Sequence, residues 1–297
     1  MKKILSLALS ATLVLGPGSF VATAKAQQEP GLTPVPQQPP ESPGAYEDPV
    51  AELTNPNATA PIDDKPEDTP ARSTAPNTDS CPFALTPPPA VSTSERLAPG
   101  QPAPTPLPPV PGAACGVSVP PGFEVKDDVV SAAWIVADID SGEIIAAKDP
   151  HGRYRPASII KVLLALVAIE ELDLNQTIIA SAESAGIVGS AAGLGEGGRY
   201  TVEQLLQGLL MASGNDTAHA LAQELGGDEE TLRKINDKAA EIGTSSTVAA
   251  TYSGLDSPGM STSAHDMALV YQTAYRNPVF ARIVNTETVQ FLSLIHI

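Results

Sequence analysis

The chain has 297 residues, 34 acidic against 17 basic, for a formal net charge of −17. That balance leaves no basic face for phosphates or anionic headgroups, which excludes nucleic-acid binders and proteins held to anionic membranes by charge. Of the 30 prolines, 25 lie between Pro30 and Pro121, so only residues 123–297 have the composition to bury a core.

Lys2 and Lys3, the apolar run from Ile4 to Leu15 and the small-residue site Ala24-Lys25-Ala26 have the anatomy of a secretory leader cut before Gln27. The run is too short for a membrane span, which needs roughly 20 apolar residues. Residues 1–26 are therefore read as a signal peptide, and the mature chain is expected outside the cytoplasmic membrane, in the cell envelope. Residues 27–122 read as a Pro-rich disordered spacer, because such a composition cannot offset its own ordering entropy and proline biases it to extended conformations. In an oxidising compartment the two cysteines, Cys81 and Cys115, are expected to form a structural disulfide. The four histidines show no metal-ligand spacing, and neither metal nor cofactor is expected.

From Ser131 the texture changes. Ala132–Ile139 and Glu143–Ala147 are apolar or β-branched runs flanking Asp140-Ser141-Gly142, which predicts a β-hairpin. Ile159–Leu174 is apolar on every face up to Ile169, which predicts a helix at the centre of a domain. Ser158 and Lys161 stand at its start, three apart and on one face. Ser158 could be an N-cap and Lys161 could snorkel to water. Yet a lysine in the first turn of a buried helix is disfavoured by the dipole and by burial, both of which lower its pKa toward a neutral amine able to serve a serine as base. Further on, Thr201-Val202-Glu203-Gln204 predicts a capping box, with a helix through Leu205, Leu209 and Leu210 ending near Ala212. Ser213-Gly214-Asn215 then predicts a tight turn, with the next helix starting near Asp216.

Together, Tyr154-Arg155-Pro156-Ala157-Ser158-Ile159-Ile160-Lys161 and Ser213-Gly214-Asn215-Asp216 closely resemble the serine D-alanyl-D-alanine carboxypeptidases, the low-molecular-mass penicillin-binding proteins of peptidase family S11. The resemblance runs over roughly residues 130–290 and includes Tyr200-Thr201-Val202, Ser253-Gly254-Leu255 and Ser261-Thr262-Ser263-Ala264-His265-Asp266. It implies an α/β fold of the beta-lactamase/transpeptidase type, an antiparallel sheet flanked by helices with a helical subdomain, over residues 123–297. It also implies Ser158 as acyl-forming nucleophile, Lys161 as its base, Ser213 as proton relay to the leaving D-alanine, and Asn215 as a contact to the substrate backbone. The backbone N–H of Ser158 would give half of an oxyanion hole. The implied substrate is a peptidoglycan stem peptide ending in D-Ala-D-Ala, with beta-lactams as covalent inhibitors.

The family's third motif, K-T-G, is absent from the sequence. The chain is accordingly read as truncated near residue 290, with foreign last residues, a C-terminal membrane anchor lost with the rest, and poor folding and no activity expected. A class A-like beta-lactamase would carry S-D-N in place of Ser213-Gly214-Asn215; its deacylating glutamate is partly matched by Glu171 and Asn175, in the wrong order. An exported non-catalytic scaffold is the other alternative. Gly193-x-Gly195-x-x-Gly198 matches a dinucleotide fingerprint without a strand before it and is read as a loop. The acidic clusters at 127–128 and 228–230 are read as solvated faces.

Overall fold

The computed structural model describes residues 4–8 (backbone only), 72–89 and 96–291. Its main sheet is antiparallel, in the order β1-β3-β4-β2: β1 is Ile4–Ala8, β2 Val117–Ser118, β3 Trp134–Asp138 and β4 Ile144–Lys148. The hairpin predicted around Asp140-Ser141-Gly142 is β3–β4. The backbone N–H of Ser141 donates to Asp138 Oδ1 at 2.8 Å, and Gly142 turns the chain at φ +77°. Residues 4–8 fall in the segment read as a leader; their backbone pairs with the outer edge of β3, Ile4 opposite Asp138 and Ala8 opposite Trp134. The proposed cleavage site and most of the spacer lie outside the described residues.

A 3-10 turn (Ala157–Ile160) leads into helix α1 (Lys161–Glu171). Every residue from Lys161 to Ala168 is buried, and α1 packs against five other helices, the central position its all-round apolarity predicts. Each fully buried Leu or Val there contributes about 1.5–3 kcal/mol. A second, two-stranded sheet joins β5 (Thr177–Ile179) to β6 (Arg199–Thr201), with the short helix α2 (Ala182–Ala185) between them in sequence. Helix α3 (Val202–Met211) starts at the predicted capping box, in which Gln204 N–H donates to Thr201 Oγ1 and Thr201 N–H to Gln204 Oε1. Then come α4 (Asn215–Glu224), α5 (Asp228–Ile242), α6 (Ala264–Arg276) and α7 (Pro278–Val284).

The described part of the proline-rich segment lies against this domain. Cys81 and Cys115 are disulfide-bonded, with Cα atoms 5.5 Å apart. Arg153, fully buried, donates to the carbonyls of Leu85 (2.8 Å), Leu107 (2.8 Å) and Pro108 (2.6 Å), and Arg155 donates to Pro88 O at 2.9 Å. Composition alone predicts a solvated spacer here; most of residues 72–89 and 96–122 are exposed, and the carbonyls of Leu85, Pro88, Leu107 and Pro108 accept from Arg153 and Arg155.

Candidate active site

Three chain segments converge at the start of α1. Tyr154 exchanges backbone hydrogen bonds with Thr262, which seats the approach to the turn (Tyr154 N–H to Thr262 O at 2.8 Å, the reverse at 2.7 Å). Ala157 then adopts φ +48°, a left-handed conformation that costs a non-glycine residue about 1–3 kcal/mol. This kink, followed by the 3-10 turn, leaves Ser158 half-buried at the rim. Ser158 does not cap the helix: the caps are Pro156 for the turn and Ile160 for α1.

Lys161 does not snorkel to water. It is 1 % exposed, and its Nζ donates to Ser158 Oγ at 2.9 Å, Asn215 Oδ1 at 2.7 Å and Ser213 Oγ at 3.4 Å. The four residues singled out from sequence are thus brought together around one amine. Burial pushes that amine's pKa down to about 8, while the negative charge of Asp216 pulls the other way. Ser213 sits at φ +56°, a second strained non-glycine position, at the turn between α3 and α4. Asn215 opens α4, one residue earlier than predicted, and is clamped: its N–H donates to Ser190 O at 2.6 Å and its Nδ2 to Val188 O at 2.9 Å.

Two further residues belong to this geometry. Gly254, at φ +88°, lies so near the turn that a Cβ there would stand 2.1 Å from Ala157 O and 2.7 Å from Ser158 N. Asp216, the last residue of Ser213-Gly214-Asn215-Asp216 and given no role in the site from the sequence, is buried and accepts four backbone N–H groups. The signal available for it was an acid beside Asn215 together with a glycine-rich loop whose backbone amides need acceptors. That loop, Gly193–Gly198, is irregular as expected. Glu171 is at the far end of α1, about 15 Å from Lys161 at 1.5 Å per residue, and pairs with Lys234. A cavity of about 380 Å³ lies elsewhere, lined by Arg153, Arg155, Leu85, Pro104, Val248 and Met260 among others, and not by Ser158. Among the described residues no group of three His, Cys, Asp or Glu is placed to hold a metal ion.

The family profile described as D-alanyl-D-alanine carboxypeptidase (peptidase S11) matches residues 121–292. The D-alanyl-D-alanine carboxypeptidase DacB2 of Mycobacterium tuberculosis is 47% identical over 176 residues, which is 59% of this chain and 60% of that protein. DacF of Bacillus subtilis is 33% identical over 153 residues, 50% of this chain and 39% of the relative. The chain thus spans less than two thirds of the length of these curated relatives. Among solved structures, a D-alanyl-D-alanine carboxypeptidase from M. tuberculosis superposes with a TM-score of 0.56 at 46% identity, covering 59% of this chain and 67% of that one. DacD of Francisella tularensis does so with a TM-score of 0.52 at 30% identity, covering 56% and 41%.

Proposed function

The chain belongs to the D-alanyl-D-alanine carboxypeptidase family S11, with its beta-lactamase/transpeptidase-like fold, and on that premise we propose that Ser158 is the nucleophile of a serine D-alanyl-D-alanine carboxypeptidase acting on peptidoglycan stem peptides. One observation carries the assignment: a buried amine, Lys161 Nζ, within hydrogen-bond reach of Ser158 Oγ, Ser213 Oγ and Asn215 Oδ1.

In its neutral form Lys161 takes the Ser158 hydroxyl proton as Oγ attacks the carbonyl carbon of the penultimate D-alanine. The backbone N–H of Ser158 faces the developing oxyanion, a contact worth about 3–4 kcal/mol. As the C–N bond to the terminal D-alanine breaks, the Lys161 proton reaches the leaving nitrogen through Ser213 Oγ. Water then cleaves the acyl-enzyme ester and restores Ser158. Asn215 uses the Nδ2 proton not given to Val188 to hold the substrate backbone. Residues 1–297 contain no K-T-G, the motif that supplies the carboxylate contact elsewhere in the family.

The position of Glu171 supports a peptidase over a class A-like beta-lactamase, because a deacylating carboxylate must reach the acyl ester. The substrate's location supports reading residues 1–26 as an export leader and residues 123–297 as the peptidase domain. The test is incubation of the chain with benzylpenicillin. A long-lived one-to-one adduct mapped to Ser158, lost in Ser158→Ala, is expected on the geometry around Lys161, together with D-alanine release from a D-Ala-D-Ala peptide, and would overturn the inactivity expected from the missing K-T-G. Rapid penicillin turnover, or an adduct that survives Ser158→Ala, would sink the assignment.

A further inference from the structure

We propose that Asp216 is a positioning residue of this site: its carboxylate anchors loop 190–195 to the start of α4, and so holds Asn215, and through Asn215 the amine of Lys161, in register with Ser158. The proposal rests on the peptidase reading of Ser158 and Lys161, and it concerns a residue that touches neither Ser158 nor Lys161 by any hydrogen bond described above.

Asp216 is 1 % exposed. One oxygen, Oδ1, accepts Ala192 N–H at 2.9 Å and Thr217 N–H at 2.8 Å; Oδ2 accepts Gly193 N–H at 2.8 Å and Leu194 N–H at 2.9 Å. Four donors saturate a carboxylate, which leaves it nothing to offer a substrate. Its work is therefore on the loop. Asn215 grips the same loop from the neighbouring position, through Ser190 O and Val188 O. Residues 188–194 are thus held by two consecutive residues of α4, and the side chain of one of them bonds Lys161. Gly214 belongs to the same device, since a Cβ there would lie 2.5 Å from Asp216 Oδ1 and 2.7 Å from Thr217 Oγ1. The glycine of Ser213-Gly214-Asn215 is required by the packing of Asp216, apart from any role in ending a helix.

The carboxylate also acts at a distance. Asp216 is the charged group that acts on Lys161, whose other partners, Ser158, Ser213 and Asn215, are uncharged. Its negative charge favours the ammonium form against burial. Removing that charge must move the titration of Lys161 downward, which a purely mechanical loop anchor would not do.

The experiment is ¹³Cε-lysine NMR on the full chain, with Lys161 followed against pH in wild type, Asp216→Asn and Asp216→Glu. Asp216→Asn is expected to lower the Lys161 midpoint by about one pH unit and to speed exchange at amides 192–194, while Asp216→Glu keeps the midpoint within a few tenths of a unit. A folded Asp216→Asn protein with an unmoved midpoint and unchanged loop exchange overturns the proposal. Should Asp216→Asn fail to fold, wild-type hydrogen exchange decides. Amides of Ala192, Gly193 and Leu194 are expected to exchange about a hundredfold or more below free-peptide rates, and free-peptide rates there overturn it. A chain that takes up no penicillin, yet shows the shifted midpoint and protected amides, retires the peptidase reading and leaves the coupling of Asp216 to Lys161 standing.

Discussion

Lys161 directs its three ammonium protons at Ser158, Ser213 and Asn215, so in the charged form it can only donate. Catalysis as proposed needs the neutral amine. With the pKa lowered to about 8, the neutral fraction falls about tenfold for each pH unit below that point. The rate of Ser158 acylation by penicillin should therefore climb about tenfold between pH 6 and 7 and level off above about 8, read by quenched-flow mass spectrometry; a profile flat from pH 6 to 9 would exclude Lys161 as the base. The same shift bears on stability. Between about 8 and 10.5 the unfolded lysine holds a proton that the folded one has released, so stability rises with pH across that window and the burial cost is fully present below 8. Lys161→Met removes the buried charge while keeping the volume. The variant is expected to be at least as stable as wild type near pH 7 by thermal unfolding, and to lose acylation by about a thousandfold or more. A markedly destabilised Lys161→Met protein would mean that the three hydrogen bonds outweigh the desolvation of the amine.

The elements around the nucleophile differ in how far local sequence specifies them. The β3–β4 hairpin, the all-apolar α1 and the Thr201 capping box were legible because each rests on residues within a few positions of one another. The 3-10 entry to α1 was not, because the strain at Ala157 is sustained from a segment about a hundred residues on. That segment holds Gly254, whose N–H donates to Thr251 Oγ1 at 3.1 Å and whose bare Cα lies against the Ala157 carbonyl. Gly254→Ala adds a methyl that meets backbone, at a φ side chains rarely adopt. It should cost on the order of 3 kcal/mol in denaturant unfolding, and slow acylation even where the fold persists, since the Ser158 N–H must shift. Wild-type stability and acylation in Gly254→Ala would show that loop 251–255 does not press on the nucleophile's turn. The role of Asp216 was missed for a related reason: three of its four donors lie 22 to 24 residues back, in a loop without periodicity.

At the scale of the whole molecule, the described arm and the domain share one buried cation. Arg153 is enclosed by the carbonyls of Leu85, Leu107 and Pro108 and by Ser246 Oγ, and all three carbonyls belong to the loop that the Cys81–Cys115 disulfide closes. Proline-rich chain has few amide protons but a full set of carbonyls, so a guanidinium with five donors suits it. Composition reports only that such a segment cannot build a core; it does not report that a domain supplies donors to it. Two devices therefore hold the same loop, and their energies must couple. Opening a loop with a sequence separation of 34 costs about 4 kcal/mol in the chain-entropy account, and Arg153→Met, which strands carbonyls while keeping bulk, costs about 3 kcal/mol with the disulfide intact. Once Cys81 and Cys115 are replaced by serine, the arm can swing away and let water reach Arg153, so the arginine substitution has less left to break. A double-mutant cycle in urea should accordingly be sub-additive by 1 kcal/mol or more, roughly the scale found for groups in one network. Additivity within about 0.5 kcal/mol would mean that the arm docks through contacts independent of Arg153, and that the guanidinium cage is a consequence of docking rather than its cause.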